Sequence, residues 1–267
     1  MGQRRVRPPA VAGTFYPDSP ETLRFTVESL LREVPVATGP APKAIIAPHA
    51  GYIYSGPIAA SAFQAVASAA QQIERVVLLG PSHFVALRGL GMPDASYFAT
   101  PLGEVRIEPE GMGAALRLPQ VRLQPDAHER EHSLEVELPF LQILLGDFNL
   151  VPLVVGEADA EEVAEVLDRL WGGPETLLVI SSDLSHYLPY ETARQADRKT
   201  AEEILALGGP LDPHQACGAR PVSGLLLAAR RRGMTPTLLD LRNSGDTAGD
   251  HSRVVGYGAF AFHEAPS

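Results

Sequence analysis

Apolar positions along this chain form short β-branched or leucine-rich runs that alternate with longer stretches repeating every three or four residues. Ser19 is placed to cap a helix from Pro20 to about Glu33, with Pro20 and Glu21 in its first turn and Leu23, Val27, Leu30 and Leu31 as its apolar stripe. A low-complexity linker, Val34 to Lys43, precedes a strand at Ala44 to Ile46. The Gly/Tyr-rich segment Gly51 to Pro57 reads as a loop leading into an Ala-rich helix, Ile58 to about Ala70. A second strand spans Val76 to Leu79. Val85 to Pro119 is strand-like and broken by Gly and Pro, as expected of β-rich excursions beside a main sheet. Helix Leu134 to Leu145, strand Leu150 to Val155, helix Ala160 to Trp171 and strand Thr176 to Ile180 follow. Helices at Tyr190 to Leu207 and Val222 to Arg232 lead to two final strands, Pro236 to Leu241 and Val254 to Phe262. Strands alternating with helices from end to end predict one α/β domain over residues 1–267. It should have three layers, α/β/α, around a mostly parallel or mixed sheet.

Composition narrows the function classes. Against 22 Lys and Arg stand 32 Asp and Glu, a formal net charge of −10. That disfavours nucleic acid or an anionic membrane as the main partner. Arg4, Arg5 and Arg7 read as a solvated start, and Arg230, Arg231 and Arg232 as the basic end of a helix. A single cysteine, Cys217, excludes an intrachain disulfide framework and a Cys-rich metal site. It reads as a buried structural residue, although a helix N-terminus and Arg220 nearby would favour a thiolate. No apolar run reaches the roughly 18 residues of a membrane span, and the start lacks a signal-peptide core. A cytoplasmic protein is the default expectation, and a homodimer is compatible with this composition.

The chemistry concentrates at strand ends. Pro48-His49-Ala50-Gly51-Tyr52 and Gly80-Pro81-Ser82-His83-Phe84 each close an apolar strand with a histidine, where open α/β sheets place their ligands. His49 and His83 therefore read as metal ligands. Ser181-Ser182-Asp183-Leu184-Ser185-His186 closes a third strand. On a helical continuation Asp183 and His186 would share a face, making His186 a general acid/base oriented by Asp183. His132, in Glu131-His132-Ser133, reads as a pocket histidine, and Tyr16, Tyr52 and Tyr54 as pocket tyrosines. His128, His214 and His263 read as surface residues. Two His plus one carboxylate suit Fe(II), whereas zinc takes a similar set with a carboxylate as general base. No GxxxxGK[ST], GxGxxG or GxSxG motif is present.

Taken in order, the segments Pro9 to Pro17, Ala47 to Gly56, Gly80 to His83, Glu131 to Glu135, Ser181 to His186, Cys217-Gly218 and Asn243 to Asp246 resemble the Memo family, also known as the AmmeMemoRadiSam system protein B group. The resemblance spans nearly the whole chain. It implies the fold of class III extradiol dioxygenases, with His49 and His83 as metal ligands, His186 at the acid/base position and His132 in the pocket. Where eukaryotic Memo proteins carry a cysteine as third ligand, this chain offers Ser244 and Asp246. Asp246 is the expected third ligand and Ser244 a pocket residue. Fe(II) is the implied metal, with zinc or copper as alternatives. The implied role is a non-haem-iron redox enzyme acting on a small substrate. A non-catalytic metal- or peptide-binding protein and a zinc-dependent hydrolase stand as the other readings. The family name also implies AMMECR-type and radical SAM proteins as partners.

Overall fold

A computed structural model describes residues 4–36 and 39–265, so Ala37 and Thr38 of the expected linker lie outside it. The first elements are β1 (Val6–Arg7), α1 (Pro20–Glu33), β2 (Ala44–Ala47), α2 (Tyr52–Gln64) and β3 (Arg75–Pro81). An excursion follows, comprising β4 (Leu90–Met92), β5 (Tyr97–Thr100), β6 (Gly103–Ile107), α3 (Pro109–Ala115) and β7 (Val121–Leu123). Next come α4 (Asp126–Glu129), α5 (Leu138–Leu145), β8 (Asn149–Val155), α6 (Ala160–Leu170) and β9 (Thr176–Ser181). The chain closes with β10 (His186–Leu188), α7 (Tyr190–Leu205), α8 (Ala219–Arg231), β11 (Thr235–Asn243), α9 (Ser244–Thr247) and β12 (Val254–His263).

The sheet is mixed around a parallel centre. Its order is β1-β5-β6-β8-β3-β9-β2-β12-β10, and β8, β3, β9 and β2 are mutually parallel. β12 runs antiparallel to β2, β10 and β11. The central strands are buried on both faces, and their alternation sorts them cleanly. Ile45, Val76, Leu78, Leu177 and Val179 enter one core with α1, α2 and α5. Ile46, Val77, Leu79, Leu178 and Ile180 enter the other with α6 and α8. A period of two with both faces apolar is what a sheet sandwiched between helical layers requires, so the expected three-layer α/β architecture is observed.

Several boundaries differ from the sequence expectation. α2 begins at Tyr52, six residues before the expected start, because Pro57 is accommodated inside the helix. Proline there removes a donor to the Ile53 carbonyl, and Ile53 lies on the exposed side, where water can compensate. The expected helix 134–145 is a short 3₁₀ turn, Glu135–Glu137, followed by α5, with Pro139 in its first turn. His186 opens strand β10 and not a helix, so the helical spacing expected for Asp183 and His186 does not apply. Arg7 is buried and pairs with Glu135, in contrast to the solvated start expected of the N-terminal arginines.

One close approach positions the site. Gly80, near the end of β3, lies against the 131–134 segment; an added Cβ would sit 2.7 Å from Ser133 Oγ and 3.0 Å from Leu134 Cδ2. Gly113, in α3, has open space instead. Gly80→Ala should therefore cost about 1–3 kcal/mol through overpacking. Gly113→Ala should gain about 0.4–1 kcal/mol by restricting the unfolded chain. Urea denaturation of both variants checks the opposite signs.

Candidate metal centre

The carboxyl ends of β3, β9 and β2 lie side by side in the sheet, and each is followed by a residue of the site. His49 follows β2 by two residues, His83 follows β3 by two, and Asp183 follows β9 by two. His132 arrives from the loop after α4, which is held to the end of β3 by Ser133 Oγ donating to the Pro81 carbonyl at 2.9 Å. His49, His83 and His132 each present a ring nitrogen, and the three donor atoms lie within 4.8 Å of one another. The His83 and His132 rings stack at 4.7 Å, and His49 meets both edge-on.

The ring tautomers are constrained from behind. His83 Nδ1 lies 2.8 Å from Glu131 Oε1, and His83 N donates to Oε2 of the same carboxylate. Glu131 also accepts from the backbone N–H groups of His132 and Ser133. Burial alone would raise the Glu131 pKa, but the hydrogen bonds from His83 and Ser133 outweigh it and hold it down at about 2. His49 Nδ1 contacts Ser181 Oγ at 2.7 Å. With both Nδ1 atoms engaged, Nε2 is the nitrogen left to face a metal on His49 and on His83; on His49 it also meets the Cys217 sulfur. Histidine ligands fixed through the second nitrogen are the usual support of a metal site.

Desolvation, reinforced by the neighbouring rings, lowers His49 to about 3 and His132 to about 4. Both are therefore neutral imidazoles at physiological pH, the form that binds metal. The donor set fits a single divalent transition metal; three imidazoles suit zinc, copper, iron or nickel.

The cluster forms the floor of a cavity of about 640 Å³. His186 and Asp183 border it, Phe15, Tyr54, Tyr187 and Tyr257 supply aromatic walls, and Ser244 and Arg253 stand at the side. Asp183 is buried and accepts from the His49 N–H at 2.8 Å; burial raises its pKa. Tyr187 adopts φ of 59°, a left-handed conformation uncommon for an aromatic residue, immediately after His186. Cys217 Sγ sits 3.3 Å from His49 Nε2. Desolvation and Asp183 push its thiol upward, so it stays protonated.

Four expectations are corrected by this geometry. Asp246 is exposed and lies outside the imidazole cluster; it caps α9, accepting from Asn243 N at 2.8 Å and from the Tyr190 hydroxyl. The Asn243/Asp246 pair is a capping box, a signal readable from its spacing. Tyr16 is buried with its hydroxyl on Glu135, and Tyr52 donates to the Val136 carbonyl; neither lines the cavity. His128 is buried, not superficial, with Nε2 2.9 Å from the Gly91 carbonyl. His263 is half-buried, whereas His214 is exposed as expected. Sequence reasoning missed the roles of Ser181 and Glu137, and named Glu131 only as a neighbour of His132 in its segment.

The family model described as Memo-like protein matches residues 7–261. The chain belongs to the Memo-like family. Among its Memo relatives, a MEMO1 family protein of Aquifex aeolicus is 39% identical over 95% of this chain and 97% of its own length. Another, from Methanopyrus kandleri, is 38% identical over 96% of this chain and 98% of its own. A solved structure of an uncharacterized Escherichia coli K12 protein shares the fold, with a TM-score of 0.53 and 16% identity over 81% of this Memo chain and 98% of its own. Among the described residues, no helix of this Memo protein is long and apolar enough to cross a membrane.

The depressed pKa of His132 carries a stability consequence in metal-free protein. Between about pH 4 and 6.5 the unfolded chain binds a proton at this imidazole that the native state does not. The group's contribution therefore falls as pH drops from 6.5 toward 4. Between pH 7 and 5, with chelator present, His132→Asn should lose less stability than the wild type. An equal loss in urea midpoint for both proteins would contradict the assignment.

Proposed function

We propose that this protein is a mononuclear metal enzyme holding ferrous iron on His49, His83 and His132 and acting on a small, aromatic substrate in the cavity above them. The convergence of three imidazole donors on the cavity floor carries this reading. The bound metal would supply Lewis-acid and redox chemistry. The protein's own residues would do the rest. Glu131 and Ser181 orient the His83 and His49 rings. Phe15, Tyr54 and Tyr257 exclude water and offer stacking faces for a flat substrate. Asp183 and His186 border the same space and can take or return a proton at the substrate. The resemblance to extradiol dioxygenases supports this division of labour.

One observation favours a second reading. The donor cluster is all imidazole and contains no carboxylate, a set well suited to zinc and to activation of a bound water. A zinc-dependent hydrolase would use the same cavity, with Asp183 or His186 as the base.

Protein purified anaerobically should bind about one metal per chain. His83→Ala or His132→Ala should lower affinity by more than the ~10–100-fold typical of outer-shell changes. With Fe(II) restored, oxygen uptake on a panel of phenolic substrates should fall ~10²–10⁴-fold in His186→Gln, with metal content retained. Zinc at stoichiometry with hydrolytic turnover and no oxygen uptake would move the assignment to the second reading. Failure of any metal to bind would overturn both and leave a recognition pocket.

A further inference from the structure

Ser181 ends β9 with its hydroxyl buried among three partners. Its Oγ lies 2.6 Å from the Ser133 carbonyl oxygen, 2.7 Å from His49 Nδ1 and 2.8 Å from Glu137 Oε1. A serine hydroxyl has one proton to give and two lone pairs to receive with. The Ser133 carbonyl can only accept, so the Ser181 proton belongs to it; two oxygens at 2.6 Å with no proton between them would repel. The other two partners must then donate. His49 carries its proton on Nδ1, and Glu137 carries one on Oε1.

The surroundings of Glu137 agree with this count. Its side chain is fully buried, and no salt bridge reaches it among the described residues, in contrast to Glu135 with Arg7 and Glu131 with His83. Its second oxygen, Oε2, is buried without a hydrogen-bond partner. An ionised carboxylate so placed would forfeit the solvation of a full charge, whereas a neutral acid leaves one weak acceptor unmet. Burial, together with the nearby Asp183, pushes the Glu137 pKa well above the usual carboxylate range.

The geometry points to Glu137 as a positioning residue of the metal centre: its neutral carboxylic acid donates to Ser181, which obliges Ser181 to accept from His49 Nδ1–H and leaves Nε2 unprotonated toward the cavity. The two strand-end ligands are thus oriented in opposite ways. His83 leans directly on an ionised carboxylate, Glu131, whereas His49 leans on a neutral relay of serine and acid. The buried support contributes one negative charge to the centre, not two, and the His83 ring becomes the more electron-rich ligand. The consequence for metal affinity rests on the metal-site reading above; the proton count does not.

The test uses metal-free protein in which glutamate carboxyl carbons are isotopically labelled. Infrared spectra at neutral pH should show an isotope-shifted carboxylic-acid carbonyl band in the wild type that disappears in Glu137→Gln. The label separates it from any band of Asp183. Nitrogen-15 spectra should show His49 protonated at Nδ1 alone, in the wild type and in Glu137→Gln, whose amide still offers an N–H donor to Ser181. Glu137→Leu, which removes that donor, should mix the His49 tautomers and weaken binding of Zn²⁺ by ~10–100-fold. A wild type without the acid band, or with His49 protonated at Nε2, overturns the inference. If Glu137→Leu does not fold, the wild-type and glutamine spectra decide alone. If Zn²⁺ fails to bind while band and tautomer are as expected, the metal reading fails and the assignment to Glu137 stands.

Discussion

Three acidic side chains on one seven-residue stretch, Glu131, Glu135 and Glu137, are almost wholly withdrawn from water, and the rest of the site is arranged around meeting their demands. Each is met differently. Glu131 takes His83 and three backbone N–H groups. Glu135 takes the Arg7 guanidinium, the Tyr16 hydroxyl and the backbone of Ala10 and Val11. Glu137 meets Ser181. Since an unmet buried charge costs several kcal/mol, these partners cannot drift apart cheaply. The stretch consequently ties the N-terminal segment to the ends of β3 and β9, and it carries His132 into place between them.

This arrangement also sets the electrostatic character of the centre. Three imidazoles bring no charge of their own, so the positive charge of a bound cation would be answered from behind the ligands and from the cavity wall. Behind them stands Glu131, which its hydrogen bonds keep ionised at any physiological pH. At the wall stands Asp183, buried and held by the His49 backbone, with burial favouring its neutral form.

The fold was largely legible because it is written in local terms. Short apolar runs stopped by Pro or Gly marked β2 and β3, a run closed by serines marked β9, and the histidines after them were visible as strand-end residues. What escaped the sequence depends on distance along the chain. Arg7 looked like a solvated start because its partner Glu135 is 128 residues away. His132 could be read as a pocket residue but not as a third donor, since only the packing of Ser133 on Pro81 brings it there. Tyr52 was misplaced because Pro57 resembles a helix breaker, and Asp246 because an acid in a Gly-rich loop resembles a ligand as much as a cap. Ser181 and Glu137 carry no outward sign at all; a strand-end serine and an acid beside an apolar helix are ordinary until they meet.

The order of the sheet has a consequence for how the molecule comes into being. β2 is made in the first fifth of the chain, yet its parallel neighbour β9 lies some 130 residues later and its antiparallel neighbour β12 arrives only at the end, with Ile46 opposite Phe260. Pairings of such range are closed late, after the entropy of the intervening loop has been overcome. During synthesis on the ribosome, Ile45 and Ile46 therefore wait unpaired until β9 has emerged, and β2 keeps one open, sticky edge until β12 follows. His49 waits with them. A chain cut short before β9 would keep its three imidazoles but lack Ser181 and the strand that holds the His49 ring and backbone in place.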